Sequence, residues 1–584
     1  MRSNKILTAA MASLLALGAC SGGGDNGDDA DQSSGDQPSW GVSPATDELP
    51  MPEAGDRYDN PQDRDDIKDG GELKLPISEL GPNFNQLSVD GGTLYVNHIM
   101  QWTAPQLWHS SVQGEREPNP DYLESVEQID DDPETIKFVI NPDAQWNNGD
   151  DITWEAFETN WKTQSGESDK YNPAATSGYS SIKSVEKGDD EKEAIVTFDE
   201  PYYPYESVFS TLEHPKNKDP EFYKEGWVND LNPDLLAGPY TVDDLSKNEL
   251  VLVPNPDWWG AKPKLDKIVY TQMEDTAEVN AFQNGEIDLA SVGTSGRLKQ
   301  VEDMDDVLLK RGFQTATNVF TMRKYGDLFD EKSGRKGFAL GLDREKLAKV
   351  SFQGLDWDED PPGSSLLYPW MDTYEDNLAD MHHDTDEAEQ VLQDAGWEMG
   401  DDGYRHKDGD TAEVDYVWFS DDDTAKAQAR AVQKMEKEIG IKVNLDNRPA
   451  SEFSNTLHET KDYDVIAMGW SGDDPAAWLD ECQIYCSDSE SNYSELGTDK
   501  IDEQLQKASA IKDTEEAAKV GNKAESAALH LFGLFPISNG PKQVVNKKGL
   551  ANISAFTRGL AGFHSEPAEN VGWMTDEALQ QRDD

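Results

Sequence analysis

The alternation of apolar and polar positions predicts a chain of short strands and amphipathic helices. Residues 250–253 (Leu-Val-Leu-Val) form an apolar run typical of a buried strand, and residues 268–270 form another. A helical pattern over residues 277–282 ends at Gly285, and residues 287–290 follow as a short buried strand. Strands that alternate with helices in this way predict an α/β fold. No internal repeat or glycine-rich phosphate loop accompanies them, so the sequence indicates no nucleotide site.

The start of the chain has the pattern of an export signal. A basic stretch precedes an apolar run over residues 6–17, which is too short to span a bilayer comfortably. The sequence Leu-Gly-Ala-Cys at residues 17–20 is typical of a lipoprotein cleavage site. We therefore predict a signal peptide over residues 1–19, a lipidated Cys20, and an extracytoplasmic protein anchored to the cell membrane. The alternative is an ordinary secretory cleavage site with a chance cysteine.

A polar segment separates this signal from the fold. Residues 20–70 are rich in Gly, Ser, Asp and Pro and contain few apolar side chains, which predicts a disordered tether. A flexible chain of about 50 residues reaches roughly 40 Å, enough for a folded domain to leave the membrane surface and dock to a permease. The remaining chain is longer than a single-core domain, so two or three lobes are expected.

The charge balance excludes one class of partner. The chain has 51 Lys and Arg residues against 116 Asp and Glu residues, a net charge of −65. Such a protein does not bind nucleic acid through counterion release. It should be soluble, and its self-repulsion should weaken when salt screens the charges. We interpret the excess of acid as adaptation to a saline exterior; the alternative is a merely acidic secreted protein.

Two cysteines stand close together in the sequence Cys-Gln-Ile-Tyr-Cys. They are Cys482 and Cys486, and the chain has three cysteines in all. In an exported protein this spacing predicts a short-loop disulfide. A metal pair would need further ligands nearby, and no other Cys or His lies between residues 473 and 499. We predict no metal and no cofactor.

Short sequence blocks in a fixed order carry a family resemblance. They include Trp-Asn-Asn-Gly, Gly-Leu-Asp-Arg-Glu and Ile-Gly-Ile-Lys-Val, and the set lies at residues 146–149, 152–155, 237–290, 341–345, 388–397, 439–443, 463–470, 548–552 and 571–573. In this order the blocks resemble the family 5 solute-binding proteins of ABC transporters, which include dipeptide- and oligopeptide-binding proteins. The resemblance covers nearly all of residues 71–573. Asn148, Trp154 and Ala156 depart from the residues common in the family.

The resemblance implies a two-lobed periplasmic-binding-protein-like α/β fold of type II, with an extra subdomain in the first lobe. Two chain crossings, near Gly312 and Phe535, would form a hinge, and the ligand would lie in the cleft between the lobes. The implied ranges are 71–312 for lobe I, 313–535 for lobe II, 536–584 for the return to lobe I and about 105–235 for the extra subdomain.

The resemblance also implies where a peptide would bind. In peptide-binding members an Asp that follows a strand of lobe II pairs with the ligand's α-ammonium. Asp473 is the better match in this sequence and Asp474 is the second. A buried cation needs such a partner, because an unpaired one costs several kcal/mol. The alternative is that both residues cap a helix that begins near Ala476, and Asp474 directly before Pro475 fits that role well.

Aromatic and polar residues near this loop are further candidates for ligand contact. Each of the aromatic residues is more often a core residue on base rates. The candidates are Trp470 and Trp478 beside the anchor, Tyr95 and Trp102 on the opposite wall, and Asn492 and Tyr493 in a loop that lies near the ligand in the family.

An acidic loop affects which ligand fits. Residues 420–423 (Ser-Asp-Asp-Asp) stand where dipeptide-preferring members place an Arg for the ligand carboxylate, and Arg430 lies further along. Carboxylates there disfavour a free peptide C-terminus close to this loop. A longer peptide, a cationic peptide or a non-peptide cation fits better.

The resulting prediction is a binding protein and not an enzyme, because no convergent acid, base or nucleophile set is visible. His382 and His383 form the only His pair, and adjacent helix positions do not face one site. The expected partners are a peptide, ABC permease subunits with a cytoplasmic ATPase, and the membrane through the lipid anchor; a monomer is expected. The alternatives are the same fold binding a nickel complex, haem, an oligosaccharide or a cationic small molecule, and a receptor without transport.

Overall fold

The first lobe contains a four-stranded sheet, a second antiparallel sheet and the start of a third. The computed structural model describes residues 41–45, 49–52, 58, 60–110, 116–472, 481–553 and 567–583. The elements before the first crossing are β1 (Glu72–Ile77), α1 (Leu94–Thr103), β2 (Trp108–Ser110), β3 (Arg116–Pro118), β4 (Leu123–Asp131), β5 (Glu134–Ile140), α2 (Trp154–Gln164), β6 (Ile182–Lys187), β7 (Glu193–Phe198), α3 (Pro220–Glu225), β8 (Tyr240–Leu245), β9 (Glu249–Pro254), β10 (Lys267–Gln272), α4 (Asp275–Gln283), β11 (Leu289–Ser291), α5 (Ser295–Val301) and β12 (Val307–Phe313).

The four-stranded sheet has the order β1-β10-β9-β8, with β1 parallel to β10 and the other pairs antiparallel. Burial alternates along β1, where Leu73, Leu75 and Ile77 face the core. Val96 and Ile99 of α1 belong to the same core. The strands predicted at residues 250–253 and 268–270 are confirmed as β9 and β10, and the predicted helix lies within α4.

A separate antiparallel sheet has the order β4-β5-β7-β6. Helix α2 packs against it, and the Thr153 hydroxyl caps the helix by accepting from the Glu155 N–H. Phe138 of the sheet meets Phe157 of α2 with ring centroids 4.9 Å apart. This sheet falls inside the segment for which an extra subdomain was predicted.

The second lobe follows the first crossing. Its elements are β13 (Ala316–Met322), α6 (Gly326–Phe329), α7 (Lys332–Gly341), α8 (Arg344–Ser351), α9 (Thr385–Asp394), β14 (Glu398–Met399), β15 (Arg405–Lys407), β16 (Asp410–Thr411), β17 (Glu413–Trp418), α10 (Asp423–Glu438), β18 (Lys442–Asn447), β19 (Val465–Ser471), α11 (Glu481–Tyr485), α12 (Asp499–Ser509), α13 (Thr514–Leu529) and β20 (Leu534–Ser538). A π-helical turn, Asn455–Thr460, lies between β18 and β19.

The central sheet of the second lobe has the order β18-β17-β19-β13-β20. Strand β17 is parallel to both of its neighbours, and β13 is antiparallel to both of its own. Val414 and Tyr416 of β17 and Val465 of β19 are almost fully buried, as expected for strands covered by helices. The parallel arrangement places the carboxyl ends of β17, β18 and β19 at one edge of the sheet.

The chain returns to the first lobe in a final group of elements. They are β21 (Pro541–Lys547), β22 (Leu550–Ala551), β23 (Gly572–Trp573) and α14 (Asp576–Asp583). Strand β21 inserts between β11 and β12. The two crossings therefore lie at residues 313–316 and 538–541, next to the predicted positions Gly312 and Phe535, and they run side by side because Phe313 pairs with Pro541. The ranges given for the two lobes stay a prediction.

Glu359 braces the second crossing. Its Oε1 accepts from the Asn539 N–H at 2.9 Å, and its Oε2 accepts from the Gly540 N–H at 2.8 Å. Burial raises the pKa of this carboxyl, and these two backbone donors oppose that shift. A single side chain of the second lobe thus holds two successive peptide groups of the crossing.

The predicted tether over residues 20–70 is too long at its C-terminal end. Tyr58, Asn60 and Ile67 are 3%, 0% and 2% exposed. The Asn60 side-chain amide donates to the Leu550 carbonyl at 2.8 Å, and Val42 forms a β-bridge with Leu309. The sequence looked disordered because apolar residues are sparse here, but backbone and amide hydrogen bonds fix the described part of this segment to the first lobe.

Candidate ligand-binding site

The seam between the lobes runs along the carboxyl ends of β17, β18 and β19. Just after β17, the Ser420 hydroxyl donates to the Asp275 carboxylate of the first lobe at 2.7 Å. Just after β18, the Ala450 N–H donates to the Glu274 carboxylate at 3.3 Å. In open α/β sheets, ligands bind outside the carboxyl ends of the strands, so this edge is the candidate site.

An aromatic wall stands on the second-lobe side of the seam. Trp470, near the end of β19, stacks on Tyr493 with ring centroids 5.8 Å apart and planes 14° from parallel. The His458 ring, on the π-helical turn, meets the Tyr493 ring edge-on, with centroids 5.7 Å apart. Within the described part of the chain, the Trp470 Nε1 and both ring nitrogens of His458 are buried without a hydrogen-bond partner. A buried polar group without a hydrogen-bond partner costs free energy unless another group, such as a ligand, bonds it.

Asp90 and Asn172 approach this wall from the first lobe. The Asn172 side-chain amide donates to Asp90 Oδ2 at 2.8 Å. The Asn172 Oδ1 is buried and has no partner among the described residues. Burial lowers the pKa of His458, and the Asp90 carboxylate partly opposes that shift, so His458 is an uncharged polar group at neutral pH. The wall therefore combines flat apolar faces with neutral polar atoms and one carboxylate.

Two further contacts join the lobes through Phe453 and Ser454. The Tyr95 ring of α1 meets Phe453 edge-on with centroids 6.2 Å apart. The Ser454 hydroxyl donates to Glu79 Oε2 at 2.6 Å. Burial raises the pKa of Glu79 to about 7 and, together with the Glu79 carboxylate, raises the pKa of Tyr95 to about 12. The first lobe thus contributes two ionisable groups to a poorly solvated region, and the second lobe contributes a phenyl ring and a hydroxyl.

Comparison with known proteins decides the family. The model of "Bacterial extracellular solute-binding proteins, family 5 Middle" matches residues 117–484. The oligopeptide-binding protein OppA of Mycobacterium tuberculosis (strain H37Rv) is 30% identical over 504 residues, which cover 85% of this chain and 84% of that protein. This chain belongs to the family 5 extracellular solute-binding proteins. OppA of Bacillus subtilis is 28% identical over 437 residues, covering 70% of this chain and 76% of that protein.

Solved structures have the same fold. The periplasmic EDTA-binding protein EppA matches with a TM-score of 0.76 at 23% identity, covering 88% of this chain and 98% of that one. The oligopeptide-binding protein AppA of Bacillus subtilis, in complex with a nonapeptide, matches with a TM-score of 0.75 at 18% identity, covering 87% and 100%. The predicted family and the two-lobed α/β fold are confirmed. The matching family is described as extracellular, and EppA is named as a periplasmic protein. In the described residues, every helix is too short or too polar to cross a membrane.

Some of the predicted site residues line the seam, and others lie in the core. Trp470, Tyr493 and Tyr95 line the seam. Trp102 does not, because it is 0% exposed and its indole N–H donates to the Tyr270 hydroxyl at 2.8 Å inside the core. Asn492 is 6% exposed, and its amide donates to the Cys486 and Leu496 carbonyls, which fixes its own turn. Trp102 and Asn492 therefore have structural partners and offer little surface to a ligand.

Asp473, Asp474 and Trp478 lie outside the described residues, but both flanks of their segment are described. Before it, the Gly472 N–H donates to the Tyr368 hydroxyl at 2.9 Å. After it, the structure joins Cys482 and Cys486 in a disulfide within and just beyond α11. Tyr485 of α11 bonds the Ser365 hydroxyl and the buried Glu525 carboxylate. The residues on either side of the candidate anchor are thus held by the core.

The sequence reasoning missed the contribution of residues 453–458. Phe453 and His458 come from the turn after β18, which has no motif of its own. One signal was available, because β18 lies in the parallel part of the sheet and its carboxyl end points to the ligand edge. In the described part of the chain, no group of three His, Cys, Asp or Glu side chains is arranged to hold a metal ion.

Proposed function

We propose that this protein captures oligopeptides in the seam between its lobes and delivers them to an ABC permease. One observation carries the proposal, the wall of Trp470, Tyr493 and His458 with buried polar atoms that lack partners. An extended peptide offers backbone N–H and C=O groups to such atoms whatever its side chains are. The flat rings accept varied side chains without demanding one shape.

The relatives support a peptide as the ligand class. The two OppA relatives are named oligopeptide-binding proteins, and AppA was solved with a nonapeptide. A long peptide also suits the acidic residues 421–423, because its C-terminal carboxylate can lie far from them.

The ligand's α-ammonium would be anchored by Asp473, with Asp474 as the second candidate. Both directly follow Gly472, whose N–H is held by Tyr368 at the ligand edge of the sheet. An ammonium group needs a carboxylate partner when the lobes exclude water from it. The remaining contacts proposed for the peptide are Trp470, Trp478, Tyr493 and Tyr95.

Delivery would take place at the membrane surface. The lipid-modified Cys20 and the polar residues that follow it would hold the protein near permease subunits driven by a cytoplasmic ATPase. Closure of the lobes about residues 313–316 and 538–541 would present both lobes to the permease together. The protein would act as a monomer without catalysis.

A non-peptide solute is the second candidate. EppA, which is named for EDTA binding, has a TM-score of 0.76 to this chain, so the fold accommodates compact anions as well as peptides. The acidic residues 421–423 argue against a polyanion and favour a cationic solute within this alternative.

Native mass spectrometry of the purified protein, followed by calorimetry, tests the proposal. We expect a co-purified mixture of peptide masses, and calorimetric binding of a synthetic nonapeptide mixture but not of EDTA or nickel–histidine. A single non-peptide mass that recurs between preparations, with no binding of nonapeptides, would refute the peptide assignment.

A further inference from the structure

Helix α4 of the first lobe begins without a cap of its own. The residue before it, Glu274, makes no side-chain hydrogen bond to the first turn of the helix. The first N–H groups of a helix have no partner inside the helix and are normally satisfied by such a side chain. Thr276 is the second residue of α4, and its N–H is one of these groups.

Asp421 supplies the missing cap from the second lobe. Its Oδ1 accepts from the Thr276 N–H at 3.1 Å, and its Oδ2 accepts from the Thr276 hydroxyl. This is the bond that a helix-capping side chain makes, but the two residues are 145 positions apart in the chain. A carboxylate at this place also interacts favourably with the positive end of the helix dipole.

The next residue along the chain is also a helix cap. Asp422 caps its own helix, α10, because its Oδ1 accepts from the Thr424 N–H at 2.7 Å. The Asp422 Oδ2 accepts from the Thr294 hydroxyl of the first lobe at 3.4 Å. Two helices from opposite lobes thus meet at their N-termini, and consecutive aspartates cap one helix each.

We propose that Asp421 is a positioning residue that stabilises the closed arrangement of the lobes by capping α4 across the seam. The cap exists only while the lobes are together, so its free energy belongs to the closed form alone. A ligand enclosed by both lobes benefits from any interaction that favours closure, even one that never touches it. Asp421 therefore sets ligand affinity from outside the binding wall. This inference rests on the proposed function only where it concerns affinity.

The sequence offers a matched control two residues away. Asp423 carries the same charge, and its side chain is fully exposed. Asp421→Ala and Asp423→Ala therefore remove the same charge from the same loop, but only the first removes the cap. Alanine is used because asparagine is itself a good helix cap. Thr276→Val tests the same contact from the other lobe, because it removes the hydroxyl donor while keeping a β-branched side chain.

Hydrogen exchange on the full mature protein without ligand is the first measurement. We expect Asp421→Ala to speed exchange at the start of α4 by about 2- to 30-fold, the range that loss of a helix cap allows. Asp423→Ala should leave it unchanged. Small-angle scattering should show a larger radius of gyration for Asp421→Ala and Thr276→Val than for Asp423→Ala. Equal exchange and equal radii for the two Ala variants would overturn the proposal.

Titration with a synthetic nonapeptide mixture is the second measurement. Asp421→Ala should weaken binding by about 2- to 30-fold through faster dissociation. Adding Thr276→Val should cost less than the sum of the two single changes. If nonapeptides bind none of the variants, the proposed function fails while exchange and scattering still decide the role of Asp421. If they bind the wild type and both Ala variants equally, Asp421 has no part in affinity.

Discussion

The indole of Trp470 and the phenol ring of Tyr493 stack 5.8 Å apart, with planes 14° from parallel. The two residues come from different elements, the end of β19 and a turn near α12. Their stacking turns the ligand edge of the second lobe into a flat surface. It also leaves the Trp470 Nε1 buried without a partner in the described structure.

Replacing Trp470 by alanine should weaken peptide binding by about 2 kcal/mol or more, as for other buried aromatic anchors. Trp470→Phe should cost less, about 0.5–1.5 kcal/mol, because it keeps a flat ring and loses only the hydrogen bond from the indole N–H. Calorimetry measures both, with melting temperature as the check that each variant folds. Unchanged affinity in Trp470→Ala would remove this wall from the site.

Asp473→Asn should cost about 2–5 kcal/mol of peptide affinity, because one partner of a buried charge pair is lost. N-acetylation of the peptide should cost a similar amount, and the two changes together should be less than additive. Calorimetry on the four combinations of protein and peptide tests whether the Asp473 carboxylate pairs with the peptide amine. An effect in Asp474→Asn but not in Asp473→Asn would move the anchor by one residue, and equal binding of acetylated and free peptides would contradict an amine anchor.

Stability should fall as pH rises from about 4.5 to 7. Burial raises the pKa of Glu213 from 4.5 to about 7, and Thr163, Asn217 and Gln164 oppose that shift with hydrogen bonds. A raised pKa means that the folded state holds the proton more tightly, so its stabilising contribution is complete below pH 4.5 and disappears above pH 7. For Glu213 this amounts to roughly 3 kcal/mol.

Burial also raises the pKa of Glu79 and of Glu569 to about 7, so several groups act in the same direction. Denaturant unfolding at pH 5 and pH 8 measures the effect. Glu213→Gln should flatten the pH profile, because glutamine keeps the acceptor for Thr163 and has no proton to lose. A stability that rises steadily with pH would contradict this account.

Cys20→Ser should abolish incorporation of a palmitate analogue and release the protein from the membrane fraction. Thiol lipidation would be the membrane anchor, and serine offers no thiol. Metabolic labelling followed by fractionation measures both effects. Cys482→Ser is the control, because it alters a cysteine far from the export signal. Continued labelling of Cys20→Ser would place the anchor elsewhere.

The melting temperature should rise by several degrees as NaCl increases from 0.1 to 1 M. The net charge of −65 makes the folded chain repel itself, and the Debye length shortens from about 10 Å to about 3 Å over this range. Sucrose at matched viscosity is the control for non-ionic effects. A flat curve would argue against adaptation to salt.

The local pattern of apolar and polar residues predicted the strands and helices well, because hydrophobic periodicity and turn residues act over only a few positions. The apolar run at residues 250–253 lies within β9, and the helical pattern at 277–282 lies within α4. The partners of these elements across the seam were not predictable. Glu79 and Ser454 are 375 positions apart, and nothing in either neighbourhood indicates the other.

Tyr95 and Trp102 show where pattern reasoning reaches its limit. Seven residues apart on α1, they lie on nearly the same face of the helix. The two turns between them span about 10 Å, which carries Trp102 from the seam into the core beside Tyr240 and Tyr270. Sequence spacing predicts on which face of a helix a residue lies. Its depth below the protein surface depends on the packing of the whole lobe.

The bridge between Val42 and Leu309 has a consequence for aggregation. Strand β12 lies at the edge of the sheet β11-β21-β12, and an open edge is a template for pairing with another molecule. Val42 occupies both backbone groups of Leu309, with hydrogen bonds of 2.8 and 2.7 Å. Gly41 permits this approach, because a Cβ there would lie 2.7 Å from the Leu309 carbonyl oxygen. A chain shortened past residue 45 would expose that edge and should self-associate, so the segment before the fold also protects it from its own copies.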